Sequence, residues 1–139
     1  MQDLERLVSL ATVVRKAFEK YAAKTKYFPS DLCGLCYDAS LTLMRLAKRH
    51  GIEKAQLGVG IGHWFVLLDN MVVDVTSTQF GQPDKVAVLP LEHAEKIGTW
   101  WELQGKQDEA TWEDSQYTMD GTALAEELLE NGGIGEGEL

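Results

Sequence analysis

The order of elements along the chain predicts an α+β fold, with N-terminal helices packed on an antiparallel sheet. Apolar residues recur at helical spacing in the first third, and β-branched runs separated by turn residues follow. Helices followed by a strand meander are typical of α+β rather than of a parallel doubly wound sheet. With 139 residues and 45% hydrophobic content, the chain can form one domain. We expect that domain over residues 1–130 and a flexible, glycine-rich acidic tail over 131–139.

Two helices are predicted before the strands. The first covers about 20 residues, and its buried stripe consists of Leu4, Leu7, Val8, Ala11, Val14, Phe18, Tyr21 and Ala22. Pro29 interrupts it, because proline disfavours helix at the residue before it. The second helix runs from about Cys36 to His50, and Gly51 closes it. Cys36 therefore begins the second helix on its buried stripe.

Four strand candidates follow these helices, at about 55–61, 62–68, 71–77 and 86–89. Asp69 and Asn70 form a tight turn between the second and third candidates. Two further helices are predicted, a short one over 91–97 and a longer one over 123–129.

The two-residue turn sets the register of this hairpin. Leu68 lies opposite Met71. Each step back along the first strand is one step forward along the second, so His63 lies opposite Thr76. Side chains alternate along a strand, so His63 and Asp74 project from one face as diagonal neighbours, roughly 7–8 Å apart at the backbone. We expect the carboxylate to orient the imidazole and to favour its charged form.

Cys36, His63 and Asp74 are the three groups that thiol catalysis needs. A thiol becomes a useful nucleophile when a base or cation favours its ionised form and a third group holds that base. Backbone N–H groups at a helix start stabilise a thiolate and can also bind the oxyanion of a tetrahedral intermediate. The pattern predicts a thiol-dependent acyl-transfer enzyme in which Cys36 is the nucleophile, His63 the base and Asp74 the orienting group.

Three segments carry a resemblance to a known family, and they read Gly34-Leu35-Cys36-Tyr37-Asp38-Ala39-Ser40, Gly62-His63-Trp64 and Asp74-Val75-Thr76-Ser77-Thr78-Gln79-Phe80. Over about residues 30–82 the chain resembles the papain-like and transglutaminase-like superfamily. More narrowly, it is similar to small bacterial and phage members with a Cys-Tyr pair, a His-Trp pair and a D-x-T-x-x-Q-F ending. The resemblance implies a papain-like/transglutaminase-like core and a protease, transglutaminase, deamidase or acyltransferase activity, with the same three residues in the same roles. The glutamine that assists the oxyanion shortly before the papain cysteine has no counterpart among Ser30, Asp31 and Leu32.

Other interpretations of the site stay open. Cys33 and Cys36 form a C-x-x-C at a helix start, as in thiol–disulfide oxidoreductases, although no βαβ pattern surrounds it. Together with His63 and Asp74 they also make an acceptable zinc ligand set, although the H-x-E signature of deaminases is absent. A non-catalytic binding module of the same fold, such as a phage or effector protein acting on a host factor, is a further alternative. We favour the amide hydrolase, deamidase or protease type, with no cofactor and no metal.

Other polar and aromatic residues are interpreted structurally. Thr76 and Gln79 are expected to brace the turn after Asp74 by hydrogen bonds. Trp100 and Trp101 are expected to be packing residues, with partner binding as the alternative. The histidines outside the motif, at positions 50 and 93, are given no catalytic role.

The charge balance bears on the partners. A formal charge of −9, from 22 acidic and 13 basic residues, argues against nucleic-acid binding, and the basic runs 15–26 and 45–54 are expected to be solvated helix faces. No stretch approaches the roughly 20 apolar residues that span a bilayer, and no secretory signal is visible. A disulfide between two cysteines only three positions apart would stabilise the fold little. The cysteines therefore do not indicate an oxidising compartment, and a reducing cytoplasm is expected. The expected partner is a protein, peptide or small amide substrate, and the residues indicate no oligomeric state.

Overall fold

The computed structural model describes residues 2–110 and 112–132, and this part of the chain is α+β. Its elements are α1 (Gln2–Thr25), α2 (Cys36–Arg49), β1 (Gln56–Gly60), β2 (His63–Leu68), β3 (Met71–Asp74), β4 (Ala87–Pro90), α3 (Leu91–Ile97), β5 (Gly105–Gln107) and α4 (Gln116–Glu130). Short 3₁₀ turns cover Ser77–Phe80 and Thr99–Trp101. Of the predicted acidic tail, residues 133–139 lie outside the described residues. The predicted fold class is confirmed.

The described strands form one antiparallel sheet in the order β4-β3-β2-β1-β5. Leu68 pairs with Met71 and Val66 with Val73, so the register predicted from the two-residue turn is confirmed for these pairs. The predicted pair of His63 and Thr76 does not form, because β3 ends at Asp74. Asp69 turns the chain between β2 and β3 with a left-handed backbone, at φ 54°.

Two predicted elements differ from the structure, and one strand was not predicted. The strand expected over 71–77 ends at Asp74, because the backbone turns into the 3₁₀ segment Ser77–Phe80. The last helix begins at Gln116 rather than near 123, and Ser115 caps it by accepting a hydrogen bond from the Thr118 N–H at 3.1 Å. β5 was not predicted, because its three residues carry no apolar pattern and gain their strand geometry by pairing with β1.

The sheet has an apolar core on each face. The helical face packs on α1 and α2, and α4 packs on these two helices; β2 and β3 contribute Val66, Leu68 and Val73 to this core. The alternate residues Phe65, Leu67 and Val72 point to the other face, where they pack with Ala94 and Trp101. Because β2 is covered on both faces, its side chains from Phe65 to Leu68 are buried, and the site at its first residue is fixed in position.

Within the described residues, no helix combines the length and the apolar content that crossing a bilayer requires.

Candidate active site

Cys36 is the first residue of α2, as predicted. Its thiol is free and half-buried. The N-cap residue is Leu35, which makes no side-chain capping hydrogen bond. The first N–H groups of a helix lack partners within the helix, so this turn presents uncapped backbone donors beside the sulfur. An anion formed at this position is stabilised by those donors and by the helix dipole.

His63 and Asp74 lie in direct contact, as the hairpin register predicts. His63 Nε2 donates to Asp74 Oδ2 at 2.7 Å. The two residues are only 1% and 0% exposed, respectively. Burying a carboxylate without partners is costly, so this contact gives Asp74 a reason to be inside the protein and gives the imidazole one orientation.

Other donors satisfy the remaining lone pairs of Asp74. Trp101 Nε1 donates to Oδ2 at 2.7 Å, and the Thr76 N–H donates to Oδ1 at 2.9 Å. The Thr76 hydroxyl lies 3.4 Å from Oδ1, and Gln79 Nε2 donates to the Thr76 carbonyl at 3.0 Å. The predicted bracing by Thr76 and Gln79 is confirmed. These hydrogen bonds fix the orientation of the carboxylate and leave it with partners although it is buried.

The second nitrogen of His63 is left for Cys36. Nδ1 is buried and makes no hydrogen bond of regular geometry within the described residues. The side chains that interact electrostatically with the ring are Asp74 and Cys36. Because Nε2 is taken by the carboxylate, Nδ1 is the ring nitrogen that remains available to the thiol. Loose contacts of this kind are common in unliganded active sites and tighten when substrate binds.

The electrostatic state of His63 follows from these neighbours. Burial by itself lowers the pKa of His63, but the hydrogen bond to Asp74 and the interaction with Cys36 outweigh burial and raise it to about 9. The ring is therefore a cation at neutral pH. An imidazole that is oriented by a carboxylate and interacts with a thiol is the combination that thiol nucleophiles use.

Aromatic rings enclose the imidazole. Phe80 lies edge-on to His63, with ring centroids 4.8 Å apart and an interplanar angle of 89°. Trp100 stacks on the far side of Phe80 at 4.6 Å and 11°. Phe65 lies on the same strand face as His63, with centroids 6.1 Å apart. These rings exclude water from the His63–Asp74 bond and so strengthen it.

Trp101 has a role in the site that sequence reasoning missed. It was expected to be a packing residue, and it is fully buried, but its indole N–H is also a partner of Asp74. Gly60 of β1 lets its segment approach, and Gly58 leaves room for the Phe65 ring, which packs with Trp101. A Cβ at Gly60 would lie 1.8 Å from the Trp100 carbonyl oxygen, and a Cβ at Gly58 would lie 2.5 Å from the Phe65 ring. Glycines at alternate strand positions are a sequence signal of close backbone approach, and this signal points to the segment.

Arg15 was expected on a solvated helix face, and this expectation is wrong. The residue is only 4% exposed, because its guanidinium bonds to the two chain segments that flank the site. Nη1 donates to the Val75 carbonyl and to Thr78 Oγ1, both at 2.9 Å, and Nη2 donates to the Ser30 carbonyl at 3.2 Å. Val75 directly follows Asp74, and Ser30 lies in the loop that leads to Cys36. Arg15 therefore ties the acid-bearing segment to the nucleophile-bearing loop.

The remaining candidates lie outside this arrangement. Cys33 is exposed and its thiol is free. Over residues 2–110 and 112–132, no cluster of three or more His, Cys, Asp or Glu side chains could hold a metal ion, so the zinc ligand set considered above is not assembled. His93 is exposed on α3 and half-buried His50 follows the end of α2, so both lie apart from the catalytic candidates.

Comparison of the chain with protein-family models, with curated proteins and with solved structures found no match in any of the three.

Proposed function

We propose that this protein is a thiol-dependent acyl-transfer enzyme of the amide hydrolase, deamidase or protease type. The observation that carries the proposal is the buried His63 ring, which is hydrogen-bonded to Asp74 through Nε2 and interacts with Cys36, the first residue of α2. Taken singly, the hydrogen bond to Asp74 and the nearby Cys36 thiol each have a purely structural explanation. Together they make the imidazole a cation that is oriented by an acid and paired with a thiol, as nucleophilic catalysis requires.

The reaction begins with attack of the Cys36 sulfur on a carbonyl carbon. The S–C bond forms, the carbonyl π electrons move to oxygen, and the N–H groups of the first turn of α2 stabilise the resulting oxyanion. His63 then gives its proton to the leaving nitrogen, the C–N bond breaks, and a thioester remains on Cys36. Water attacks the thioester while His63 takes its proton, and the acid and the thiolate are released. Asp74 holds the ring in position throughout.

The finer assignment of the fold belongs to the same proposal. A helix headed by cysteine, packed on an antiparallel sheet that carries histidine and aspartate on adjacent strands, supports a papain-like/transglutaminase-like core. The substrate is a protein, a peptide or a small amide. The two free thiols support a reducing cytoplasm as the location.

Alkylation by iodoacetamide at pH 6 tests the proposal directly. An ordinary thiol with a pKa of about 8.5 is only about 0.3% ionised at pH 6, so a thiolate held by an imidazolium reacts up to about 300-fold faster. We expect rapid alkylation of Cys36 and slow alkylation of Cys33, measured by mass spectrometry of the two sites. The His63→Ala variant removes the cation, and we expect it to lose the difference in alkylation rate between Cys36 and Cys33.

Cys33→Ser is the matched control, because it removes the neighbouring exposed thiol and leaves the triad intact. Equal rates at Cys33 and Cys36, or a Cys36 rate unchanged by His63→Ala, would contradict the proposal. A burst of nitrophenol from nitrophenyl acetate, with an acyl group retained on Cys36, tests the chemical step itself. A reversible Cys33–Cys36 disulfide in glutathione buffer, without acylation, would favour the oxidoreductase alternative.

A further inference from the structure

Three aromatic rings form a cluster beside the nucleophile. Tyr37 and Trp64 lie edge-to-face with centroids 4.8 Å apart, and Trp112 packs edge-on to them at 5.1 Å and 5.9 Å, respectively. Tyr37 and Trp64 are half-buried, whereas Trp112 is 59% exposed. We call these three residues the aromatic cluster.

The aromatic cluster is adjacent to the catalytic groups along the chain. Tyr37 directly follows Cys36 in the first turn of α2, and Trp64 directly follows His63 on β2. Trp64 projects from the face of β2 opposite to His63, towards the helices, so Trp112 contacts both rings on the helical side of the sheet. Tyr37 puts the aromatic cluster one residue along α2 from Cys36.

Hydrogen bonds hold the Trp112 segment on the cysteine helix. Asp38, in the first turn of α2 and only 7% exposed, accepts hydrogen bonds from the Ser115 and Thr118 hydroxyls, both at 2.7 Å. Arg45, also on α2, pairs with Asp114 at 2.6 Å. The segment that carries Trp112 is therefore bound to the same helix as Cys36 by one buried, one part-buried and one exposed polar contact.

The phenol of Tyr37 adds a second indication. Its oxygen is buried and has no hydrogen-bond partner in the described part of the chain. A buried hydroxyl without a partner is unfavourable, and such groups lie at binding sites more often than in pure cores. An exposed indole that rests on this tyrosine combines an apolar surface with a nearby polar group, as small-molecule sites do.

We propose that the aromatic cluster is a substrate subsite that binds an apolar, preferably aromatic, group next to the carbonyl attacked by Cys36. The inference rests on the proposed function and adds the chemical class of the substrate. The occupant lies against the open face of Trp112 in edge-to-face or offset geometry. Its contacts favour acyl compounds with an aromatic substituent over small polar ones.

Two reagents with the same reactive group test the subsite. Iodoacetamide and N-benzyliodoacetamide both form a thioether with Cys36 and release iodide, and they differ only in the aromatic substituent. The ratio of their rates with Cys36, divided by the same ratio with glutathione, measures the aromatic preference. We expect a preference of about tenfold, which corresponds to about 1.4 kcal/mol.

Variants of Trp112 assign the preference to the cluster. Trp112→Ala is expected to bring the ratio close to that of glutathione while the iodoacetamide rate stays unchanged. Trp112→Phe retains an aromatic ring and is expected to retain most of the preference. Tyr27→Ala is the control, because Tyr27 is 80% exposed and its ring contacts Phe28 rather than the aromatic cluster.

The outcomes separate this inference from the proposed function. Rapid iodoacetamide alkylation of Cys36 without an aromatic preference overturns the subsite and leaves the enzyme proposal intact. Slow iodoacetamide alkylation contradicts the enzyme proposal, and the normalised ratio still measures the subsite. A Trp112→Ala variant that slows both reagents equally would show that the indole only covers the helix, which also overturns the subsite.

Discussion

The two ends of the β2–β3 hairpin differ in the solvent exposure of their charged residues. At the turn end, Asp69 borders cavities of about 460 and 540 Å³, whose linings include Lys54. Both of these residues are exposed, so their charges stay hydrated. At the open end, His63 and Asp74 are buried against each other beside Cys36.

The difference teaches that the cavities at the turn end and the buried charged pair at the open end are separate features of this hairpin. The turn end borders open cavities, but its charged groups are solvated and act at high dielectric. The open end has a charged pair removed from water, stabilised by Trp101 and Thr76, next to a nucleophile. Perturbed titration in a desolvated cluster is the better indicator of function, and this physical argument outweighs cavity size.

Substituting the two aspartates tests the contrast most strongly. Asp74→Asn removes the charge that balances the imidazolium, so the pKa of His63 falls and the alkylation rate of Cys36 at pH 6 drops about 100-fold. Asp69→Asn, the matched change at the turn end, leaves that rate unchanged. Near-ultraviolet circular dichroism checks that both variants are folded. An equal loss in both variants would remove the distinction between the two ends.

The pH dependence of stability tests whether the buried histidine is charged. The pKa of His63 is raised from 6.5 to about 9 in the fold. The protonated His63 ring therefore stabilises the folded state fully below about pH 6.5, and this stabilisation is lost as the pH rises through about 9. It amounts to about 3 kcal/mol in the free energy of unfolding. Urea unfolding of wild type and His63→Gln between pH 6 and 10 measures it.

His93→Gln is the control for this titration, because His93 is exposed on α3. We expect its unfolding free energy to follow that of wild type at every pH. If the gap between wild type and His63→Gln stayed constant up to pH 10, the ring would be neutral in the folded protein.

Substituting Arg15 tests whether the open end of the hairpin depends on the hydrogen bonds that this α1 residue makes to its flanking segments. Arg15→Gln leaves the Val75 and Ser30 carbonyls without their charged donor, so we expect a loss of about 2 to 3 kcal/mol in the free energy of unfolding. We also expect slower alkylation of Cys36 in the folded variant. Arg49→Gln is the control, since its pair with Glu126 is exposed and contributes less than about 1 kcal/mol. Normal Cys36 reactivity in folded Arg15→Gln would limit Arg15 to stability.

The two adjacent tryptophans give the smallest and sharpest test. Trp101→Phe removes the indole donor from the Asp74 carboxylate and is expected to cost about 2 kcal/mol. Trp100→Phe removes an indole N–H that has no partner within the described residues, so we expect a cost below about 1 kcal/mol. Urea unfolding measures both. Equal costs would mean that the hydrogen bond to Asp74 contributes nothing beyond packing.

Several parts of the site could be predicted because they depend on near neighbours in the sequence. The periodicity of α2 and the glycine at its end are local signals, and they put Cys36 at the first helical residue. The turn at Asp69 determines the register of the hairpin, and the register brings Asp74 next to His63. These predictions needed only the helix period, the strand period and one turn.

The start of α4 shows why other parts could not be predicted. Gly121 lies inside this helix, where glycine costs about 1 kcal/mol relative to alanine and weakens the helical signal. The fold needs glycine there, because a Cβ would lie 2.1 Å from the Phe18 ring of α1. Packing between distant helices thus overrides local propensity, and the sequence pattern recovered only the second half of α4.

By itself, the sequence determined the α+β class, the cysteine at a helix start and the acid that faces the histidine, because each follows from spacings of a few residues. Only the tertiary structure decided that Trp101 completes the hydrogen bonding of Asp74, that Arg15 joins the two flanking segments and that Trp112 lies on the cysteine helix. These contacts join residues far apart in the chain. Many side chains along the sequence carry suitable donors or rings, and only the packing of the whole domain selects which of them meet.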